Sequence, residues 1–160
     1  MYAVRLWSVR HARLLEGVYN VFEKTLLRLH PLMKRIGYGR LEKPMEAVER
    51  NVKGLLFDCQ MCGQCMLSSS GMSCPMNCPK NLRNGPCGGV RLNGHCEVKP
   101  EMKCVWVQAW NGSRRMAGGD KILDRQKPVD HSLKGSSAWL RRTREIAEPA
   151  AEPAKKKPAA

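Results

Sequence analysis

The sequence of 160 residues is short of aromatics, which make up 6 % of it, with only two phenylalanines. It has no apolar run near the about 18 residues a membrane-spanning helix needs. The opening MYAVRLWSVRHARLLEGV is broken by Arg5, Arg10 and Arg13, which excludes the apolar segment of a secretory signal and makes the cytoplasm the expected compartment. Acidic residues are scarce, 14 Asp and Glu against 28 Lys and Arg, for a formal net charge of +14. There is no Ser/His/Asp spacing, no phosphate loop and no paired carboxylates, so the chain reads as non-catalytic. It has no alternating aromatic platform, so nucleic acid is a disfavoured partner. The basic excess reads first as compensation for thiolate charge, and second as attraction to acidic partners such as phosphate or an acidic protein face.

All eight cysteines fall in one stretch: Cys59, Cys62, Cys65, Cys74, Cys78, Cys87, Cys96 and Cys104. Thiols used for packing would not collect in this way. Large apolar side chains are few there, so a bound metal would have to supply much of the folding energy, and the apo stretch should be largely unfolded. Three chemistries compete. Disulfides rank last, because reducing compartments keep thiols free. Structural zinc takes four ligands as two pairs, and eight cysteines are enough for two such sites. The opening Cys59-x2-Cys62-x2-Cys65 fits a two-plus-two tetrahedron poorly. It matches the first part of the four-iron run, with Cys74-x3-Cys78-Pro79 following after an interruption. Two 4Fe–4S clusters are therefore the leading reading and zinc the alternative, with all eight cysteines as metal and cofactor ligands. Cys59, Cys62 and Cys65 should share one site. Gly63 permits backbone conformations that turn amides toward sulfur.

Along the chain, residues 3 to 30 read as one amphipathic helix, with Pro31 as its stop. Packing on the metal domain and docking to a partner subunit both explain its apolar stripe. His11 and His30 read as surface or cap residues. Gly37-Tyr38-Gly39 reads as a loop, and residues 44 to 57 as a helix begun at Pro44 that delivers the chain to Cys59. Lys80 and Arg83 stand ready to stabilise a reduced cluster, to steer a partner, or simply to be solvated. Val90 to Val98 predicts a β-hairpin with a type I′ turn at Asn93-Gly94. His95 lies within the block but is surplus to eight cysteines as a ligand. A helix starting at Pro100-Glu101 would carry Cys104, Trp106 and Trp110, the tryptophans serving as core or interface aromatics. Met61, Met66, Met72, Met76 and Met102 are suited to fill an irregular shell around a metal. The expected fold is a small α+β metal-stapled domain: N-terminal amphipathic helices, Cys-rich loops with a β-hairpin and a short helix, and a disordered C-terminal tail. Its divisions are a helical region 1–50, a Cys-rich domain 51–112, an extended arm 113–142 and a disordered tail 143–160.

The elements CxxCGxC, CPxxCPK, LRNGPCGGV and CEVxPEMxCVW, in this order, resemble the cysteine-rich methylenetetrahydrofolate reductase C-terminal family. The likeness runs from about Lys53 to Trp110 and more loosely to Trp139. The family is described both as zinc-binding and as iron–sulfur-binding. The resemblance implies an accessory subunit that passes electrons to the flavin of a methylenetetrahydrofolate reductase catalytic subunit in one-carbon metabolism, with a ferredoxin-like protein as a candidate donor. The alternative it leaves open is a zinc-binding structural or regulatory subunit of the same reductase.

Overall fold

The computed structural model describes residues 2–149; the end of the expected tail, 150–160, lies outside them. Five α-helices carry the chain: α1 Tyr2–Arg10, α2 Ala12–Ile36, α3 Tyr38–Phe57, α4 Val105–Ser113 and α5 Ala138–Ala147. Short 3-10 turns occupy Pro75–Asn77, Gly119–Leu123 and His131–Leu133.

The expected first helix is two. His11 bends the path at φ −102° and ψ 26°. The ladder runs on across it, with the His11 amide on Trp7 O at 2.9 Å and the Leu15 amide on His11 O at 3.1 Å. Pro31 does not stop α2. It sits exposed on the helix, while Leu26 and Met33 go on burying themselves to either side of it. The core face outweighs the hydrogen bond a proline removes. The stop falls at Gly37 (φ 96°), whose amide bonds to Met33 O at 3.0 Å. Tyr38 then opens α3 instead of lying in a loop, because it packs against the core cluster of Leu26, Met33, Trp139 and Leu140 and its hydroxyl meets His30 Nδ1 at 2.5 Å.

The C-terminal half is fastened to these helices through buried glutamates. Glu16 of α2 accepts the amides of Ala117 and Gly118 at 2.7 and 2.9 Å. Glu49 of α3, 1 % exposed, accepts from Ser137 Oγ at 2.7 Å and the Trp139 amide at 3.2 Å. Glu42 takes the Ser137 amide at 2.6 Å. Two carboxylates thus meet the N-terminus of α5, where orphan amides and the helix dipole favour negative charge. Trp139 follows into the α2/α3 cleft, edge-on to Phe22 with ring centroids 4.7 Å apart. α5 runs to Ala147, past residue 143, where the tail was expected to begin.

The α+β expectation is corrected. Among the described residues there is no strand, only an isolated antiparallel bridge between His95 and Lys103. A type I′ turn needs both central residues at positive φ, but of Asn93 and Gly94 only Gly94 has it, at 77°. The Asn93 side chain instead accepts the His95 amide at 3.0 Å. Leu92 and Val98 are exposed, so the segment has no apolar face to bury and nothing to hold a ladder flat. Cys96 pairs forward, its amide on Met102 O at 3.0 Å, and the Cys104 amide closes on Gly94 O at 2.9 Å. α4 begins at Val105, with Cys104 just before it.

Candidate metal centre

α3 ends on Asp58 in the left-handed conformation (φ 53°), its amide on Gly54 O at 3.0 Å. That turn swings Cys59 back toward the body of the protein. The non-glycine residues with positive φ among those described are Asp58, Met61, Met72 and Asn81, all in or beside the cysteine loops. Backbone strain of this kind persists only where surrounding structure enforces it, and it gathers at functional sites.

The loop brings Cys59, Cys62 and Cys65 to one pocket, and Cys74 reaches it from the start of the Pro75–Asn77 turn. The space they line is about 20 Å³, walled by Met61, Met66, Met76 and Leu67. Burial pushes the Cys59 thiol up to about 11, with Cys65 adding to the rise and the Met61 amide, 3.4 Å from its sulfur, opposing it. Burial pushes Cys74 up to about 12, Cys59 adding and the Met76 amide opposing. Burial thus disfavours the thiolate at Cys59 and Cys74. A bound metal reverses that preference, since a coordinating thiol is deprotonated outright.

Two buried cations close the pocket. Arg83 is 9 % exposed, with Nη1 4.0 Å from Cys62 Sγ and 3.8 Å from Met76 Sδ. Its Nη2 donates to Gln64 O at 3.3 Å, and its Nε is buried with no partner. Lys53, 3 % exposed, is ion-paired to Glu49 at 2.6 Å. Burial by itself would lower the Lys53 pKa, but Cys65 and Glu49 together raise it above the ordinary value. Sulfur donors, amides aimed at sulfur and cations behind them are the surroundings that thiolate-bound metals favour. In kind, the donor set fits such a group. As the side chains stand, no three His, Cys, Asp or Glu residues among those described converge as a metal-ligating group.

The other four cysteines are less gathered. Cys104 is buried with Met66, Trp106 and Ala109. Cys78 is half-buried at the end of the Pro75–Asn77 turn. Cys87 Sγ lies 3.7 Å from Glu97 Oε1. Lys80 forms an ion pair with Glu97, and both Cys87 and Cys96 help hold its pKa up. Among the sequence's candidates, Arg83 is thus against the thiols while Lys80 is at the surface. His95 Nδ1 sits 2.7 Å from Pro100 O. Trp106 is buried, its indole N–H on Leu82 O at 3.0 Å, whereas Trp110 is about half exposed.

Sequence reasoning missed Lys53. Its one signal was a Glu49–Lys53 pair spaced i, i+4 on the apolar face of the helix leading to Cys59, where a charge needs a reason to be. It also missed the covering of the ligand loop. Gly63 (φ 71°) packs so closely on Leu133 O that a Cβ there would overlap it, and the Gly135 amide bonds to Met61 O at 2.8 Å.

A family model described as methylene-tetrahydrofolate reductase C terminal matches residues 38–132. That span takes in α3, all eight cysteines and the start of the covering segment. No curated protein and no solved structure matches the chain.

Proposed function

The chain belongs to the methylene-tetrahydrofolate reductase C-terminal family, and from that premise we propose that it is the accessory electron-transfer subunit of such a reductase. The partner is a flavin-dependent catalytic subunit, and a ferredoxin-like protein is the donor. Cys59, Cys62, Cys65 and Cys74 would hold one 4Fe–4S cluster, and Cys78, Cys87, Cys96 and Cys104 a second. When bound, such clusters supply one-electron chemistry at potentials set by charge, hydrogen bonds to sulfur and exposure. The observation that carries the reading is the pairing of four thiols in one methionine-walled pocket with two buried cations, Lys53 and Arg83. Lys53 is balanced by Glu49, but Arg83 has no carboxylate partner among the described residues, and a net-negative centre would supply its counter-charge. Arg83, with an unpartnered Nε, has the capacity to stabilise added negative charge beside Cys62.

One observation favours the second reading, a zinc-stapled structural subunit. A space of about 20 Å³ among the thiols is closer to the size of one ion than of a cubane. Iron and zinc content, with a visible spectrum, on full-length protein purified without oxygen separates the two. The iron–sulfur reading expects about eight irons per chain and broad absorption near roughly 400 nm, with Cys74→Ser and Cys87→Ser each removing about half the iron. A colourless protein holding one or two zincs would overturn electron transfer and leave the structural role.

A further inference from the structure

α2 carries two apolar seams. One, through Leu15, Tyr19, Phe22, Leu26 and Met33, faces the core and α5. The other runs through Leu14, Val18, Val21, Leu29, Leu32 and Ile36, all 41–68 % exposed. With Thr25 these positions step by four, three and four residues, twice over. That is an eleven-residue period, the repeat that keeps a stripe on one face of a nearly straight helix. A bare seam beside a buried one is not explained by the fold of this chain, and an apolar strip this long on a soluble surface marks an interaction site.

The seam borders a trough. Between α2 and α3 lies an apolar cavity of about 310 Å³, whose walls include Val18 on one helix and Val48 and Val52 on the other. α5 already fills the part of the α2/α3 cleft nearer Gly37, through Trp139 and Leu140 against Leu26 and Met33. The open part is therefore the continuation of a cleft in which this fold has seated one amphipathic helix.

The charges beside the seam choose the occupant. Each seam residue is preceded by an exposed residue, and these include Arg13, Lys24, Arg28 and Arg35 with no carboxylate among them. None of the four makes an ion pair among the described residues. The acidic residues of α2 are turned elsewhere, Glu16 to the 117–118 amides and Glu23 to Arg142. A second copy would set one cationic row against another. The chain's own end, with Lys155, Lys156 and Lys157, is repelled for the same reason. A lipid surface prefers aromatic anchors in the seam, but here Tyr19 and Phe22 point inward, and the site is a trough where a membrane needs a ridge.

We infer that the α2/α3 trough docks an amphipathic helix of a partner protein, apolar at three-four spacing and flanked by Asp and Glu. Apolar anchors fill the trough, and the acidic flank pairs with the row from Arg13 to Arg35. Cys65 and Lys53 line both this trough and the thiol pocket. On the function proposed above, and only on it, the docked helix brings the partner against the redox centre.

The test needs no reductase and uses the full chain as purified without oxygen, because Cys65, Leu67 and Met72 of the cysteine loops also wall the trough. Two helical peptides are made with leucines at the same spacing, one flanked by glutamate and one by lysine, and titrated into the full chain by fluorescence anisotropy. The glutamate peptide binds, more weakly as salt rises, and the lysine peptide does not. Val18→Glu with Val52→Glu abolishes binding, and Lys24→Glu with Arg28→Glu weakens it by about tenfold or more. Circular dichroism of both variants matches wild type, because all four side chains are exposed. Equal binding of the two peptides, no binding of either, or surface variants that keep full affinity each overturn the proposal. So does a chain that ignores the glutamate peptide but sediments with phosphatidylserine vesicles, or dimerises, through Val18 and Val52. Peptide binding by a chain that, as purified without oxygen, holds zinc and no iron leaves this inference standing while the electron-transfer reading falls.

Discussion

The helical frame and the cysteine loops are held together by different means. The frame, α1 to α3 with α5, joins apolar seams and locks them with carboxylates: Glu49 alone meets Ser137, Trp139 and Lys53. The loops from Cys59 to Cys104 have no strand ladder, and their buried side chains are mostly methionines, serines and thiols. Their order rests on turns, on a few close backbone contacts and on whatever the thiols bind. A frame of the first kind is complete in itself, while loops of the second kind are conditional.

Stripping metal from the full chain is the strongest way to break the comparison. Residues 59–104 should lose hydrogen-exchange protection almost entirely while α2, α3 and α5 keep theirs. Equal protection in both regions, with metal gone, would show that the loops stand by themselves. Next in size, Glu49→Ala removes the partner of buried Lys53 and the acceptor of the α5 N-terminus. Breaking such a pair from one side costs about 3–5 kcal/mol, so a urea midpoint should fall steeply, with α5 exchanging first. An unchanged midpoint would mean that the frame does not depend on its carboxylates. Third, Gly112→Ala drives a Cβ into the backbone at Gly71, itself at φ 59°. Overpacking of this kind costs about 1–3 kcal/mol and should loosen the loop around Met72 while leaving α5 protected.

The smallest effect concerns pH. Burial, aided by Cys65 and Glu23, raises the Tyr19 phenol from 10.0 to about 12. The folded chain holds that proton where the unfolded chain releases it. The stabilisation is full below pH 10 and is lost as pH climbs from there toward about 12. Tyr19→Phe should flatten this part of the stability profile; an unaltered slope would place the phenol in water.

Much of the frame could be read in advance because helical period is a local signal. α3 was legible as the rigid lead-in to Cys59, and the α2 stripe from its spacing. The misses are tertiary. Pro31 is tolerated because Leu26 and Met33 remain buried around it, and Tyr38 is helical because a histidine and a core await it. Ala138-Trp139-Leu140 fell within the expected extended arm because the glutamates that cap it, Glu42 and Glu49, stand far away in sequence. The hairpin failed for the opposite reason: Asn93-Gly94 is a local turn signal, but no apolar face backed it and Asn93 did not take the positive φ a type I′ turn needs. Among the cysteines, Cys59, Cys62 and Cys65 line one pocket, and their close spacing was the signal for it. That spacing was silent on Cys74 as their neighbour and on Lys53 behind them.

The contact of Gly63 with Leu133, and of Met61 with Gly135, has a consequence in time. On the ribosome the chain is made from its N-terminus, so Cys59, Cys62 and Cys65 emerge well before the segment that covers them. During that interval the thiols lie open on every side; once Leu133 settles on Gly63 and α5 docks, that side of the loop is covered, while Cys65 stays exposed on the other. On the proposed metal reading, exchange of a centre from the covered side would require lifting a segment anchored at its far end by α5.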